Sequence, residues 1–580
     1  MNDAPRDKKS ADQQSKTAAD RGPMRVHGDK RAARVPLSLA EQRLWLINRF
    51  DPTNPVHNIP VSVELIGALN IGALGRALSD VLTRHEMLRT LFPASADGPY
   101  QVSVPAAEVT ADATPVKIGI TEDPLDAIER FVEAGFDLTR EIPFRVRVFE
   151  LGPDEYILTI VVHHIAVDRT SMKQLIGDLL HAYESRCADR APCWTELTVQ
   201  YSDYALWQRE ILGEEADPTS VTAQEIAFWR AELAGAADVL DLPLDHPRPE
   251  FQSLHGKPVD FYLSASTHAS VRALAESQGV SVFSVMQSVL TILLSKLCGT
   301  DDVIIGTTVD TRVNDSLAPI VGMFGNTIAL RNRMVDTESF ADLLARVHER
   351  STDAFTNAET PFERLLDVLA VKRSTSHHPV FQVSLSVHPD NEYSVTIDDL
   401  DIAIGTLEVK SADCDLEFVL TETVDADGAG AGIACSLVYA VDLFDESTVV
   451  GIVQRFQTLL NALVADTDTP ICDINVLTER ERGLLLPQRS ILHRSLDRAL
   501  RVGSPRPHSA LPSGRRSDSS IGSVVGEVST RVATTKAAAG DLALALLSYA
   551  AGKMDSSSAQ NLADSVMPDA KRHKVREITA

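Results

Sequence analysis

Six cysteines in 580 residues, Cys187, Cys193, Cys298, Cys414, Cys435 and Cys472, are too few and too scattered for a disulfide framework. The Cys187/Cys193 spacing lacks the paired ligands of a zinc site, so reduced thiols and no metal are expected. No apolar run reads as reaching membrane-spanning length. The N-terminus, rich in Lys, Asp, Gln and Ser, has no signal-peptide pattern. A soluble, cytoplasmic protein without a membrane partner is expected. Positive charge is also scarce, with 55 Lys and Arg against 81 Asp and Glu. Much of it sits at the ends, nine basic against five acidic residues in 1–35 and fourteen against eight in 486–580. That leaves 32 basic and 68 acidic residues across 36–485. A core this acidic repels nucleic acid, which excludes that partner.

What remains is patterned. The length predicts more than one domain or lobe. Residues 1–35 have no hydrophobic period and are read as a disordered extension. Ser38 with Glu41 three residues on is a capping box opening an apolar helix face at Leu39, Leu44, Trp45 and Ile47. Ile59–Leu65 alternates as a strand, and Ile71–Leu82 as an amphipathic helix. Helices follow near 171–184, 201–211 and 223–234. The proline-rich stretch 243–249 lies within the expected lobe boundary at about 215–255. The second half predicts helices near 267–278, 282–297, 338–356, 361–370 and 445–465. Its strands are expected at 303–309, 380–387, 414–423 and 432–441. Helix and strand patterns mix throughout, which means α/β. The division is 36–220 and 221–485 for two lobes, then a mostly disordered tail, 486–580, with a helix at 536–553.

One stretch carries chemistry. The β-branched run from Tyr156 to Val162 reads as a buried strand and ends in His163 and His164, followed by a short loop, Asp168, and a helix. Ser171 with Gln174 is a candidate capping box for that helix. Side chains alternate along a strand, so the two histidines face opposite ways. One anchors the scaffold, and the other is free to move a proton or orient a nucleophile. By itself, the pair reads more readily as structural, or as weak metal ligands in want of a third partner. A second pair, His377-His378, precedes a strand in a loop and is read as structural rather than metal-binding.

Seven collinear stretches are similar to signature motifs of the condensation domains of nonribosomal peptide synthetases. They are Ser38–Trp45, Arg84–Thr90, His163–Asp168, Tyr201–Trp207, Val321–Thr327, Thr360–Glu363 and His378–Gln382. The resemblance implies two chloramphenicol-acetyltransferase-like lobes in a V-shaped pseudo-dimer with an active-site tunnel between them, working as a monomer. It implies peptidyl or acyl carrier proteins as partners. They deliver substrates on phosphopantetheine arms, with no cofactor bound directly. An acceptor amine or hydroxyl then attacks the donor thioester and forms an amide or ester. His164 becomes the base or positioning group, His163 faces the scaffold, and Asp168 is structural and paired with Arg312. Arg169, Ser171 and Asn326 become candidate tunnel or substrate contacts.

The chain departs from the pattern at Arg169, where the family has glycine. If that position needs positive φ, arginine is strained there. If not, a guanidinium stands beside the tunnel or turns to solvent. An acyltransferase is the expectation, and an inactive condensation-like docking module that recruits a partner enzyme is the alternative. No carrier-attachment motif or adenylation signature is present, although Leu477–Arg482 resembles an adenylation-domain start. The chain is therefore either free-standing or a fragment of something larger.

Overall fold

The apolar alternations of the sequence resolve into two six-stranded sheets. The computed structural model describes residues 34–474, apart from 97, 110–112, 118–122, 313–314, 336, 372–373, 390–392, 407–411 and 425–429. The extension before residue 34, the 486–580 tail with its expected helix and the Leu477–Arg482 stretch lie outside the described residues.

In the first sheet the strands run Tyr393–Ile397, Leu400–Thr406, Asn58–Gly67, Glu155–His163, Phe144–Gly152 and Val116–Lys117. The second runs Gly325–Arg333, Asp302–Asp310, Val383–Pro389, Leu416–Val424, Gly430–Ala440 and Gly256–Leu263. Helices Ile71–Arg84 and Arg169–Cys187 cover one face of the first sheet. There Leu74, Ile176 and Leu179 meet Val63, Leu65 and Leu158. Helix Val282–Cys298, apolar nearly all round, is the buried axis of the second core, as such a composition requires. Helix Glu446–Ala465 is long and apolar enough to cross a membrane, contrary to the sequence reading. It packs Val449, Ile452, Phe456, Leu459 and Leu460 into that same core.

The division of the chain near residue 220 does not coincide with the sheets. The hairpin Tyr393–Ile397/Leu400–Thr406 leaves the second half and adds two strands to the first sheet, with Ile402 opposite Leu65 and Ile404 opposite Val63. Its alternation is short and broken by Asp398, Asp399 and Asp401, and the sequence reading passed over it. A second crossing follows the strand Asp302–Asp310. Leu317, Ile320, Val321 and Phe324 from this loop are buried in the first lobe's core. Gly322 rests on the ring of Tyr201, and a Cβ there would lie 2.0 Å from a ring carbon, so no other residue fits without moving the loop. The Tyr201 hydroxyl donates to the Met323 carbonyl at 2.6 Å and pairs with Ser38 Oγ at 3.0 Å.

That chain of contacts ends at a buried acid. Ser38 and Glu41 form the expected capping box, and Glu41 Oε2 accepts from the Ser38 amide at 2.6 Å and Gln101 Nε2 at 2.9 Å. Burial pushes Glu41 up from 4.5 to about 8, against the pull of the Ser38 hydrogen bonds and the Arg209 charge. An acid raised in the fold contributes most below its unfolded value and loses that contribution as pH climbs through the folded one. From pH 6 to pH 8 the loss is about 2 kcal/mol. Glu41→Gln is expected to remove this part of the decline in unfolding free energy, read by denaturant titration at several pH values.

Candidate active site

The strand Glu155–His163 delivers both histidines to the junction of the lobes, and they face apart. His163 is 2% exposed. Its ring stacks on His57 at 5.9 Å and meets Phe136 edge-on at 6.0 Å. Its Nδ1 accepts the Ile165 amide at 3.1 Å. Burial, with the neighbouring imidazoles His57 and His164, holds His163 well below the usual histidine range, so it stays neutral. His164 follows the last strand residue, is half-buried, and donates its backbone N–H to the His57 carbonyl at 2.8 Å. Its Nδ1 lies 2.7 Å from the Val167 carbonyl. A carbonyl only accepts, so Nδ1 carries the hydrogen and Nε2 of the neutral ring presents a lone pair. This is the geometry of a proton acceptor held by its own loop.

Behind that loop, Asp168 and Arg312 come together. Arg312 donates to both Asp168 oxygens, at 2.9 and 3.1 Å, and to Asp310 at 2.8 Å, with its guanidinium 4.0 Å from the Phe324 ring centre. Asp168 also accepts the Phe324 amide at 3.0 Å and the Ser171 amide at 2.7 Å. It is therefore the N-cap of helix Arg169–Cys187, three residues before the position expected from Ser171 and Gln174. Ser171, a candidate tunnel or substrate contact, joins the two lobes here. Fully buried, its hydroxyl donates to the Gly322 carbonyl at 2.7 Å and accepts from the Gly322 amide at 3.0 Å and Arg312 at 2.7 Å. Asn326 is also committed elsewhere. Its amide donates to the Ala358 and Thr360 carbonyls at 2.8 and 3.0 Å, and its oxygen accepts the Phe362 amide at 3.1 Å.

Arg169 is exposed as the first helical residue, and its φ is not positive, so the strained alternative falls away. A cation at a helix N-terminus opposes the helix dipole. Partial desolvation lowers its pKa. His388, on the strand Val383–Pro389 of the second lobe, is held down to about 4 by burial and then by the Arg169 charge. The Arg169 charge is therefore felt by a residue of the other lobe.

Several neighbours were missed from sequence. His57, directly before the strand Asn58–Gly67, was not singled out. Burial lowers it to about 4, with the charges of His164 and Arg43 adding and Asp413 opposing. His378 is structural, as expected. Its ring stacks on Phe362 at 5.7 Å and meets Phe381 at a tilt at 4.1 Å, and it too is lowered to about 4, chiefly by burial. Arg43 and Glu363, each inside a quoted motif, form a 2.9 Å ion pair between the lobes that neither motif foretold. Exposed Asp413 stands in reach of both His57 and His378, and with burial it raises Glu417 to about 7. Among the described residues, no cluster of His, Cys, Asp or Glu has the arrangement of a metal site.

The comparisons with known proteins agree with this geometry. Residues 31–486 match the family model of the condensation domain. The dimodular nonribosomal peptide synthase of Bacillus subtilis is 38% identical over 457 residues, which is 79% of this chain and 19% of that protein. The chain thus spans less than a fifth of that relative. The X-domain from teicoplanin biosynthesis superimposes with a TM-score of 0.71 at 35% identity, over 77% of this chain and 98% of that one. In its complex with OxyB the score is again 0.71, at 33% identity over 79% and 99%. The two sheets are the paired chloramphenicol-acetyltransferase-like lobes of that fold, and the chain belongs to the condensation-domain family of nonribosomal peptide synthetases.

Proposed function

We propose that this domain is an acyltransferase joining a carrier-bound acyl or aminoacyl thioester to an amine or alcohol acceptor. The reading rests on one observation above the others, the Nδ1 hydrogen bond that leaves His164 Nε2 as an acceptor at the lobe junction. The acceptor lone pair attacks the thioester carbonyl carbon, and a C–N or C–O bond forms as the C–S bond breaks. His164 Nε2 takes the acceptor's proton and returns it to the departing sulfur. A thioester is already activated, so position, a proton acceptor and shelter from water suffice. Phosphopantetheine arms on carrier proteins bring the substrates, and no resident cofactor is required.

A second reading, a condensation-fold module that binds a partner enzyme instead of catalysing, draws on two observations. One is the likeness to an X-domain whose structure is a complex with OxyB. The other is Arg169, a cation whose charge reaches His388 where the family has glycine. Wild-type protein that yields no product with any loaded carrier, yet co-elutes with a partner enzyme, decides for the second reading.

Intact-protein mass spectrometry of loaded carriers tests the first. His164→Ala is expected to slow product formation by about 10²-fold or more with the fold unchanged, and an unaltered rate removes the catalytic claim. Arg312→Ala strands Asp168 and is expected to cost about 3 kcal/mol of stability, with kcat falling more than KM rises. Arg169→Gly is expected to leave stability nearly unchanged, since relief at the helix dipole offsets glycine's flexibility. It moves the His388 titration, read by NMR, upward from about 4 but still below the usual 6.5, because burial remains.

A further inference from the structure

The strand Phe144–Gly152 places Arg145, Arg147 and Phe149 on one face, opposite Val161, Thr159 and Ile157 of the histidine strand. That face is overlaid by helix Pro124–Val132, with Phe149 buried, Arg145 half-buried and Arg147 exposed at the cleft. Between helix and strand lies a cleft of about 410 Å³ lined by Lys117, Arg130, Arg145 and Arg147, with Phe131 and Phe149 among its apolar walls. Among the described residues no acidic side chain lines it, in a domain where acids outnumber bases by more than two to one.

The four cations are not equivalent. Arg145 is engaged with the Ala134 and Gly135 carbonyls and with Glu141 at 2.8 Å. Lys117 pairs with Glu150 at 3.2 Å, and Arg130 donates to the Asp126 carbonyl at 3.2 Å. Arg147 is different. Its guanidinium lies 4.6 Å from the Phe131 ring centre, and among the described residues no hydrogen bond or ion pair is formed by it. Phe131 in turn meets Phe149 edge-on at 6.1 Å. The ring holds the guanidinium in place from one side and leaves its planar fork of donors turned to the cleft, which is how arginine recognises phosphate or carboxylate. Two of the four cations are offset by Glu150 and Glu141, and the positive charge that remains suits an anion. The volume, at the small end for ligand sites, exceeds what an inorganic ion needs. The aromatic wall accounts for the excess as room for an organic ring.

We propose that this cleft is a binding site for a phosphate monoester carried on an aromatic or similarly flat body, with Arg147 as the principal phosphate contact. It is a separate place from the histidine site. Arg147 is level with Thr159, four residues before His163, or roughly 13 Å along the strand. The proposal stands or falls independently of whether His164 is catalytic.

Isothermal titration of the full chain at low salt with phenyl phosphate, inorganic phosphate and poly-glutamate tests it. The expected result is saturable one-site binding of phenyl phosphate, tighter than that of inorganic phosphate. Binding weakens by at least about tenfold in Arg147→Ala, as loss of a charge-assisted contact requires, and is unchanged in the charge-matched surface variant Lys257→Ala. Arg130→Ala serves as the second variant if Arg147→Ala does not fold, and it too is expected to weaken binding. Absence of saturable binding, affinity indifferent to both arginine substitutions, or equal affinity for inorganic phosphate overturns the proposal. So does saturable binding of poly-glutamate alone, which assigns the cleft to an acidic polypeptide.

Discussion

A buried ion pair between Asp168 and Arg312 determines how the two halves meet. Two charges removed from water are costly unless every remaining donor and acceptor is met. Here Asp168 is satisfied by Arg312, Ser171 and Phe324, and the two terminal Arg312 nitrogens by Asp168, Asp310 and Ser171, while Arg312 Nε is left without a partner. These partners come from both lobes, so the pair is stable only when the loop after Asp310 is seated inside the first lobe. The same seating presents Gly322 to the Ser171 hydroxyl and to the Tyr201 ring. Val167, which aims the His164 ring, is the residue immediately before Asp168. The direction of one imidazole is thus inherited from an electrostatic bond formed by the opposite half of the chain.

Much of this was legible in advance, for identifiable reasons. Helices with a strong apolar stripe and a capping residue, such as Ile71–Arg84, announce themselves through local periodicity. The histidine strand was equally plain, and strict alternation separated the roles of its last two imidazoles. Asp168 and Arg312 were associated through family motifs rather than through physics, since 144 residues separate them. What escaped is what depends on tertiary placement. Ser171 has the composition of a helix cap or a ligand contact, and only the approach of Gly322 turns it into a clasp. His57 carries no local signal at all, because its significance comes from stacking on a residue over a hundred positions away. The membrane-length character of Glu446–Ala465 was misjudged because a central core helix and a spanning helix share a composition.

The electrical surroundings of His164 are uneven. His57, His163, His378 and His388 are all held neutral by burial. Arg43 is compensated by Glu363. Two exposed charges act on this cluster, Asp413 opposing the lowering of His57 and His378 and Arg169 adding to that of His388. A strongly charged ligand would meet both signs there. The same polarity can orient a bound protein as readily as a small molecule, which is why the two functional readings share one scaffold.

The hairpin at 393–406 has a consequence for how such domains can be recombined. Because it is lent by the second half to complete the first half's sheet, a cut at the apparent boundary near residue 220 leaves one fragment with an unprotected strand edge and the other with an orphaned ribbon. Chimeras that exchange halves between relatives therefore inherit a hidden graft. The donated ribbon must match the host strand Asn58–Gly67 in register and in side-chain size, or the exchange has to carry both partners together.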